Sequence, residues 1–246
     1  MYSARVPGAD LPPPFVRLAA DPLRWRILRE LAVSDRRVRE LVGAVGQPQN
    51  LVSYHLGKLR AAELVTARRS SFDGRDTYYH LDLRRCADAL AETGASLHPG
   101  LTVVTAEPVA RPKVLFVCTG NSGRSPMAAA LLRHRGGDAV SAGSHPKPLH
   151  PDAVRALAEY GIALAHEPTH LDAVRRRRFD WVISLCDKVR EACPPLPGRP
   201  RTIHWSIPDP AREPDGLAAF RRVAADLDDR IGFLVRRFTT PRDEEA

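Results

Sequence analysis

VLFVCTGNSGRSPMAAALLRHR, residues 114–135, opens on an apolar run, passes through a glycine-containing loop and closes on a helical pattern. The first four residues read as a buried strand, and the helix starts at Ser125-Pro126, since proline suits a first helical turn. Cys118 stands where the strand ends and Arg124 where the helix begins. Successive N–H groups of such a loop, with the helix dipole behind them, form a concave site for a tetrahedral oxyanion. The planar fork of Arg124 can hold two of that anion's oxygens. The same positive field favours a thiolate on Cys118 aimed at the anion, with Ser125 placed to donate to it. Thr119, Gly120, Asn121, Ser122, Gly123 and Ser125 make up the cradle. The competing reading, a small buried cysteine beside an ordinary turn, leaves this combination of residues unexplained.

Outward from the loop, strands are expected at 113–117, 138–142, 179–185 and 200–204. Helices are expected at 126–135, 151–160 and 214–237, with shorter ones near 170–177 and 187–192. Strands alternating with helices imply an α/β domain with a four-stranded parallel sheet and right-handed crossovers. Ligands of such sheets bind beyond the carboxyl ends of the strands, where Cys118 falls.

Upstream, residues 93–113 break the periodicity with Gly and Pro, which places a linker at 96–111 between domains 14–95 and 112–240. The first domain reads as short helices followed by a hairpin. Asp21-Pro22 is an N-cap before proline and restarts a helix, Gly46 ends the third helix, and residues 48–61 make a fourth. LVTARRSSFDGRDTYYHLDL alternates on both sides of Asp73-Gly74, a hairpin signal, and a last helix spans about 83–95.

CTGNSGRS resembles the Cys-x5-Arg-Ser signature of low-molecular-weight protein tyrosine phosphatases and of the arsenate reductases that share their fold. The likeness continues through SAGSHP (141–146), HPDAVRALAEYGI (150–162), FDWVISLCD (179–187) and HWSIPDPA (204–211). It implies that Asp209, before Pro210, is the general acid that protonates the departing oxygen. LCDKVREACPPLP adds Cys186 and Cys193, and looks like the redox pair of thioredoxin-coupled arsenate reductases. The implied chemistry is a relay: Cys118 attacks arsenate, Cys186 attacks Cys118 and arsenite leaves, and Cys193 attacks Cys186. Thioredoxin would then reduce the outer disulfide, although a low-molecular-weight thiol could serve. If 187–193 is helical, the two sulfurs' residues lie about 10 Å apart along the axis. A disulfide needs Cα atoms within about 7 Å, so the segment must unwind or loop out during turnover. Some reductases carry a further cysteine in the loop, where this chain has Gly123. No metal site and no tightly bound cofactor are expected, because no second cysteine pair or suitably spaced histidines accompany the pair.

The amino-terminal domain resembles the winged helix-turn-helix regulators of the ArsR type. The resemblance implies that residues 48–61 are the recognition helix, with Gln49, Asn50, Ser53, Tyr54 and His55 facing bases of a double-stranded operator. Arg68, Arg69 and Arg75, around the wing, would meet phosphates. His55 is the weakest of these, since it can equally pack inside. It also implies a homodimer joined by the first and last helices, with Leu90 in the seam. Glu63 replaces the glycine usual after the recognition helix. The paired cysteines of many arsenic sensors are missing from 37–56, which leaves Cys86 as the regulator's single thiol. Three thiolates for trivalent arsenic are therefore not available there.

Composition agrees without deciding. The chain of 246 residues nets +8, but residues 1–100 hold 15 Lys and Arg against 11 Asp and Glu, and the rest 22 against 18, so neither half is a basic arm. No apolar run spans a bilayer and the first residues lack a signal's apolar stretch, so no membrane partner and a cytoplasmic location are expected. The whole reads as a DNA-binding repressor fused to a thioredoxin-coupled arsenate reductase with possible residual phosphatase activity. Two alternatives stand: a tyrosine phosphatase on the same regulator, disfavoured by the cysteine pair and by Ala211 after Asp209-Pro210, and a transcription factor whose second domain only senses an oxyanion.

Overall fold

The computed structural model describes residues 11–98, 112–194 and 200–238. The expected linker at 96–111 falls almost wholly outside them. In the first half, α1 (Pro14–Ala19) and α2 (Pro22–Leu31) are separated at Asp21, whose carboxylate accepts from the Leu23 and Arg24 amides at 3.0 and 2.9 Å. A two-residue strand that the sequence pattern does not announce, β1 (Arg36–Arg37), leads into α3 (Val38–Val45), which ends at Gly46 with a left-handed φ of 62°. The helix α4 (Gln49–Ala61) is followed by the hairpin β2 (Val65–Arg69) and β3 (Thr77–Leu81), and then by α5 (Leu83–Leu97). The antiparallel sheet runs β1-β3-β2. Its hairpin turn is wider than the Asp73-Gly74 pair suggests: strand pairing stops at Arg69 opposite Thr77, and Ser70 N–H donates to the Asp76 carbonyl at 2.8 Å. Glu63 takes a left-handed φ of 56° in the corner after α4, which costs a non-glycine residue about 1–2 kcal/mol. The corner forms nonetheless, and Glu63 pairs with Arg85 at 2.8 Å. Ile27, Leu31, Leu41, Val52, Leu56 and Leu59 fill this half's core.

The second half contains β4 (Lys113–Cys118), α6 (Arg124–His134), β5 (Asp138–Gly143), α7 (Pro151–Ala158), α8 (Leu171–Val174), β6 (Trp181–Ser184), α9 (Asp187–Ala192), β7 (Arg201–His204), a 3-10 turn (Pro210–Arg212) and α10 (Leu217–Arg237). Its sheet is parallel, in the order β5-β4-β6-β7, as the alternation of strands and helices requires. Val114–Val117 of β4 are all buried, and α6 is buried along almost its whole length between the sheet and α10. Each such apolar side chain contributes roughly 1.5–3 kcal/mol on leaving water. Both strand and helix are therefore rigid supports for the loop that joins them. No helix among the described residues is long and apolar enough to cross a membrane.

The halves meet along a polar seam. Asp35, 3% exposed, accepts from the Ser206 amide at 2.8 Å and from Arg230 Nη1 at 3.2 Å to each oxygen, and lies 2.9 Å from His80 Nδ1. Ser34 and the Asp35 amide complete the join on His204. Burial alone would raise the Asp35 carboxyl, but the Arg230 charge, with His80, holds it well below the usual carboxylate range. A depressed folded-state pKa gives stability that is complete above the ordinary value of 3.8 and is lost as the pH falls below it. Urea titrations between pH 7 and pH 3 are expected to show this loss, with a shallower acid limb in Asp35→Asn. Arg230→Ala, which strands the buried carboxylate, is expected to cost about 3–5 kcal/mol at pH 7.

Candidate active site

Cys118 ends β4, and residues 119–123 turn tightly into α6. The loop's carbonyls are held from outside: Ser144 N–H donates to Cys118 O at 3.4 Å, His145 N–H to Thr119 O at 2.8 Å, Lys147 N–H to Gly120 O at 2.8 Å and His150 N–H to Ser122 O at 2.8 Å. With its acceptors fixed by the segment after β5, the loop keeps its N–H groups for the concave side. That of Asn121 donates to Cys118 Sγ at 3.2 Å, and Ser125 Oγ lies 3.0 Å from the same sulfur. These contacts fix the sulfur at the floor of the loop, as an aimed nucleophile requires.

Asn121 anchors the turn. It is fully buried with a left-handed φ of 46°, a conformation that asparagine tolerates better than most residues. Its amide nitrogen donates to Ser125 Oγ at 3.0 Å and to Ser141 Oγ at 2.9 Å. Its amide oxygen accepts from the Thr169 amide at 2.7 Å and lies 2.9 Å from His166 Nε2. Gly143 passes directly beneath: a Cβ there would stand 2.7 Å from Thr119 O and 2.8 Å from Asn121 Cβ. Ser141, Gly143, His166 and Thr169 are supports that the loop sequence does not reveal. Only Gly143, a glycine closing a strand, carried a signal of close backbone approach. Gly123 is crowded from the other side, its Cβ position lying 3.3 Å from Phe220 Cε1.

Arg124, 6% exposed, is held by the Ile207 carbonyl at 2.9 Å and pairs with Asp209 at 3.1 Å. The Asp209 loop and the cradle thus converge, with Asp209 one-third exposed at the mouth. Cys186 is 2% exposed, and its Sγ lies 3.3 Å from the hydroxyl of Thr119, the residue after Cys118. Burial pushes the Cys186 thiol up, against the pull of the Arg124 guanidinium. Cys186 caps the start of α9 and the half-buried Cys193 its end. The four cysteines are unpaired, and Cys86 packs against the winged-helix core, where burial pushes its thiol up to about 11.

In the other half, Gln49, Asn50, Ser53 and Tyr54 lie exposed on α4, Tyr54 at 57%. His55 departs from the expectation: it is buried, with Nδ1 3.8 Å from Asp21, because it lies on the same face of α4 as Val52, Leu56 and Leu59. Arg69 and Arg75 are exposed, Arg75 pairing with Asp73 at 2.7 Å. Arg68 is the second departure. Its guanidinium turns from the wing's outer surface to the second half, where it donates to Ser206 O at 3.1 Å, to Ser206 Oγ and to Asp187 at 3.4 Å.

A buried cysteine and a buried arginine at the two ends of one tight loop, beyond a parallel strand, mark the second half as a reductase- or phosphatase-type enzyme, preceded in the chain by a winged helix. Residues 113–243 match the family model described as low molecular weight phosphotyrosine protein phosphatase, and the chain belongs to that family. Residues 21–67 match the bacterial regulatory protein arsR family. The arsenate reductase of Bacillus subtilis is 34% identical over 126 residues, which is 48% of this chain and 91% of that protein. The arsenate reductase of Halalkalibacterium halodurans is 33% identical over 126 residues, likewise 48% of this chain and 91% of its own length. Among solved structures, an arsenate reductase from Archaeoglobus fulgidus is 34% identical, covering 50% of this chain and 98% of its own, with a TM-score of 0.44.

Proposed function

We propose that the chain is a DNA-binding repressor fused to a thioredoxin-coupled arsenate reductase, its domains at 14–95 and 112–240. The observation that carries the reading is Cys186 lying beside the Cys118 loop, with Cys193 one short helix away. The relatives' name, arsenate reductase, supports the substrate.

The loop amides and Arg124 bind arsenate, and Cys118 attacks arsenic while Asp209 protonates the departing oxygen. Cys186 attacks Cys118 Sγ, the arsenic–sulfur pair of electrons leaves with arsenic, and arsenite departs from a Cys118–Cys186 disulfide. Cys193 attacks Cys186 and returns Cys118 as a thiolate. Thioredoxin supplies two electrons to the Cys186–Cys193 disulfide. On the regulator side, Gln49, Asn50, Ser53 and Tyr54 meet bases, and Arg69 and Arg75 meet phosphates of a double-stranded operator. Leu90 and Leu97, 52% and 75% exposed on α5, supply a homodimer seam.

Arsenate-dependent NADPH oxidation, coupled through thioredoxin and its reductase, tests the enzyme assignment beside p-nitrophenyl phosphate hydrolysis. Cys193→Ser is expected to abolish the first and spare the second. Equal loss of both, or no arsenate-dependent oxidation by the unaltered protein, would reject the relay.

A further inference from the structure

The helix between the two redox cysteines is held by both halves of the molecule: on its own side Val189 packs in the core, and Asp187 Oδ1 accepts from Ser206 Oγ at 2.6 Å and lies 3.2 Å from His204 Nε2. Of the six residues of α9, three are tied to the winged helix. Asp187 Oδ2 accepts from the Ser71 amide at 2.7 Å and from Ser71 Oγ at 3.0 Å, and pairs with Arg68 at 3.4 Å. Arg190 donates to Glu40 at 2.9 Å. Glu191 Oε1 accepts from Ser70 Oγ at 2.9 Å and from Tyr78 OH at 3.0 Å. Ser70 and Ser71 lie at the turn between β2 and β3, so the wing's own tip lies on α9.

The contacts of Arg190 and Glu191 exist only while α9 is a helix, whereas Asp187, at its first position, is also anchored by His204 and Ser206. Its ends carry Cys186 and Cys193, seven positions and about 10 Å apart along the axis, against a Cα separation of at most about 7 Å in a disulfide. Joining the two sulfurs therefore unwinds α9 and draws Arg190 and Glu191 away from Glu40, Ser70 and Tyr78. Interactions present in one redox state and absent in the other bias the equilibrium between them, and the bias is reciprocal.

We propose that the wing is a clamp on the redox helix: Arg68, Ser70, Ser71 and Tyr78 are positioning residues that hold α9 and Cys186 in the reduced arrangement, and formation of the Cys186–Cys193 disulfide releases the wing. This rests on the relay reading. In the step concerned, Cys193 thiolate attacks Cys186 Sγ of the Cys118–Cys186 disulfide, that bond breaks, Cys118 leaves as thiolate, and no net electrons move. A dithiol donor later returns two electrons and two protons, and the clamp re-forms.

The test uses the full chain carrying Cys118→Ser, which confines oxidation to the outer pair, equilibrated in mixtures of reduced and oxidised dithiothreitol. Peptide mapping after alkylation measures the Cys186–Cys193 disulfide, and hydrogen exchange follows residues 65–81 in the same samples. Oxidation is expected to speed exchange of the wing-tip amides by at least about tenfold. Glu191→Ala is expected to move the dithiol–disulfide equilibrium constant toward the disulfide by about tenfold, the weight of a lost charge-assisted hydrogen bond. Glu191→Gln, which keeps an acceptor, stays within about twofold of the parent. Ser71→Ala, an exposed position where folding is not at stake, moves it in the same direction as Glu191→Ala by a smaller factor. A disulfide that forms with wing exchange unchanged, and with one equilibrium constant in all variants, overturns the clamp and leaves the relay standing. A disulfide that forms in no mixture removes the relay and the clamp together.

Discussion

Cys118→Ser is expected to remove arsenate reduction and p-nitrophenyl phosphate hydrolysis together, each by about 10⁴-fold or more, the scale on which loss of a nucleophile acts. In the proposed mechanism both chemistries begin with attack by the same sulfur, which the Asn121 amide and Ser125 hydroxyl approach at 3.2 and 3.0 Å. A serine hydroxyl in its place is a far weaker nucleophile than the cysteine sulfur. Arsenate still has its cradle in that variant, so binding measured by calorimetry is expected to persist. Arg124→Lys is expected to affect both turnover and binding. Lysine keeps the charge and loses the fork, together with the hold on the Ile207 carbonyl and Asp209, so turnover is expected to fall about 10²–10³-fold with weakened anion binding. Initial rates for both substrates and a calorimetric titration with phosphate separate the two variants.

Gly143→Ala is expected to be the most damaging single methyl in the enzyme half. The added Cβ would sit 2.7 Å from Thr119 O, 2.8 Å from Asn121 Cβ and 2.9 Å from Asn121 N, all of them backbone or near-backbone atoms of the catalytic loop. None can swing aside as a side-chain tip would. Relief requires the loop to lift, which breaks the hydrogen bonds from Ser144 and His145 to Cys118 and Thr119. Overpacking of this kind costs about 1–3 kcal/mol in stability. The displacement also misaims the cradle, so turnover is expected to fall about 10²-fold. Thermal unfolding and arsenate-dependent oxidation, measured on one preparation, test both consequences. Full activity with an unchanged melting temperature would mean that Gly143 does not support the loop.

The loop itself was legible because its signals are local. An apolar run, a stretch of Gly, Asn and Ser, and Ser-Pro at a helix start specify strand, turn and helix without help from distant residues. The spacing of Cys186 and Cys193 was legible for the same reason, and the helix between them follows from six residues with no breaker. What holds the loop from outside was not. Ser141, His166 and Thr169 meet Asn121 only after the sheet has closed, and nothing in their neighbourhoods marks them as partners of residue 121; Gly143, a glycine closing a strand, gives the one hint. His55 was misplaced because a polar residue in α4 suits either face, and the apolar neighbours on its face decided the matter. Arg68 was misplaced for a reason of longer range. Its partner Asp187 lies 119 residues away, and an arginine on a wing reads as a phosphate contact until the other half supplies a buried carboxylate. That carboxylate is fully buried, and burial alone would raise it. His204, Ser206, the Ser71 amide and Arg68 hold it well below the usual range, so Asp187 is an anion at the seam at neutral pH.

The proposed relay requires sulfur to attack sulfur between Cys118 and Cys186. Full-length Cys193→Ser, treated with one equivalent of arsenate, quenched with an alkylating agent and mapped by mass spectrometry, tests that step directly. The prediction is a Cys118–Cys186 disulfide, formed with release of one arsenite per chain. Arsenite-free protein with Cys118 and Cys186 both alkylated would contradict it.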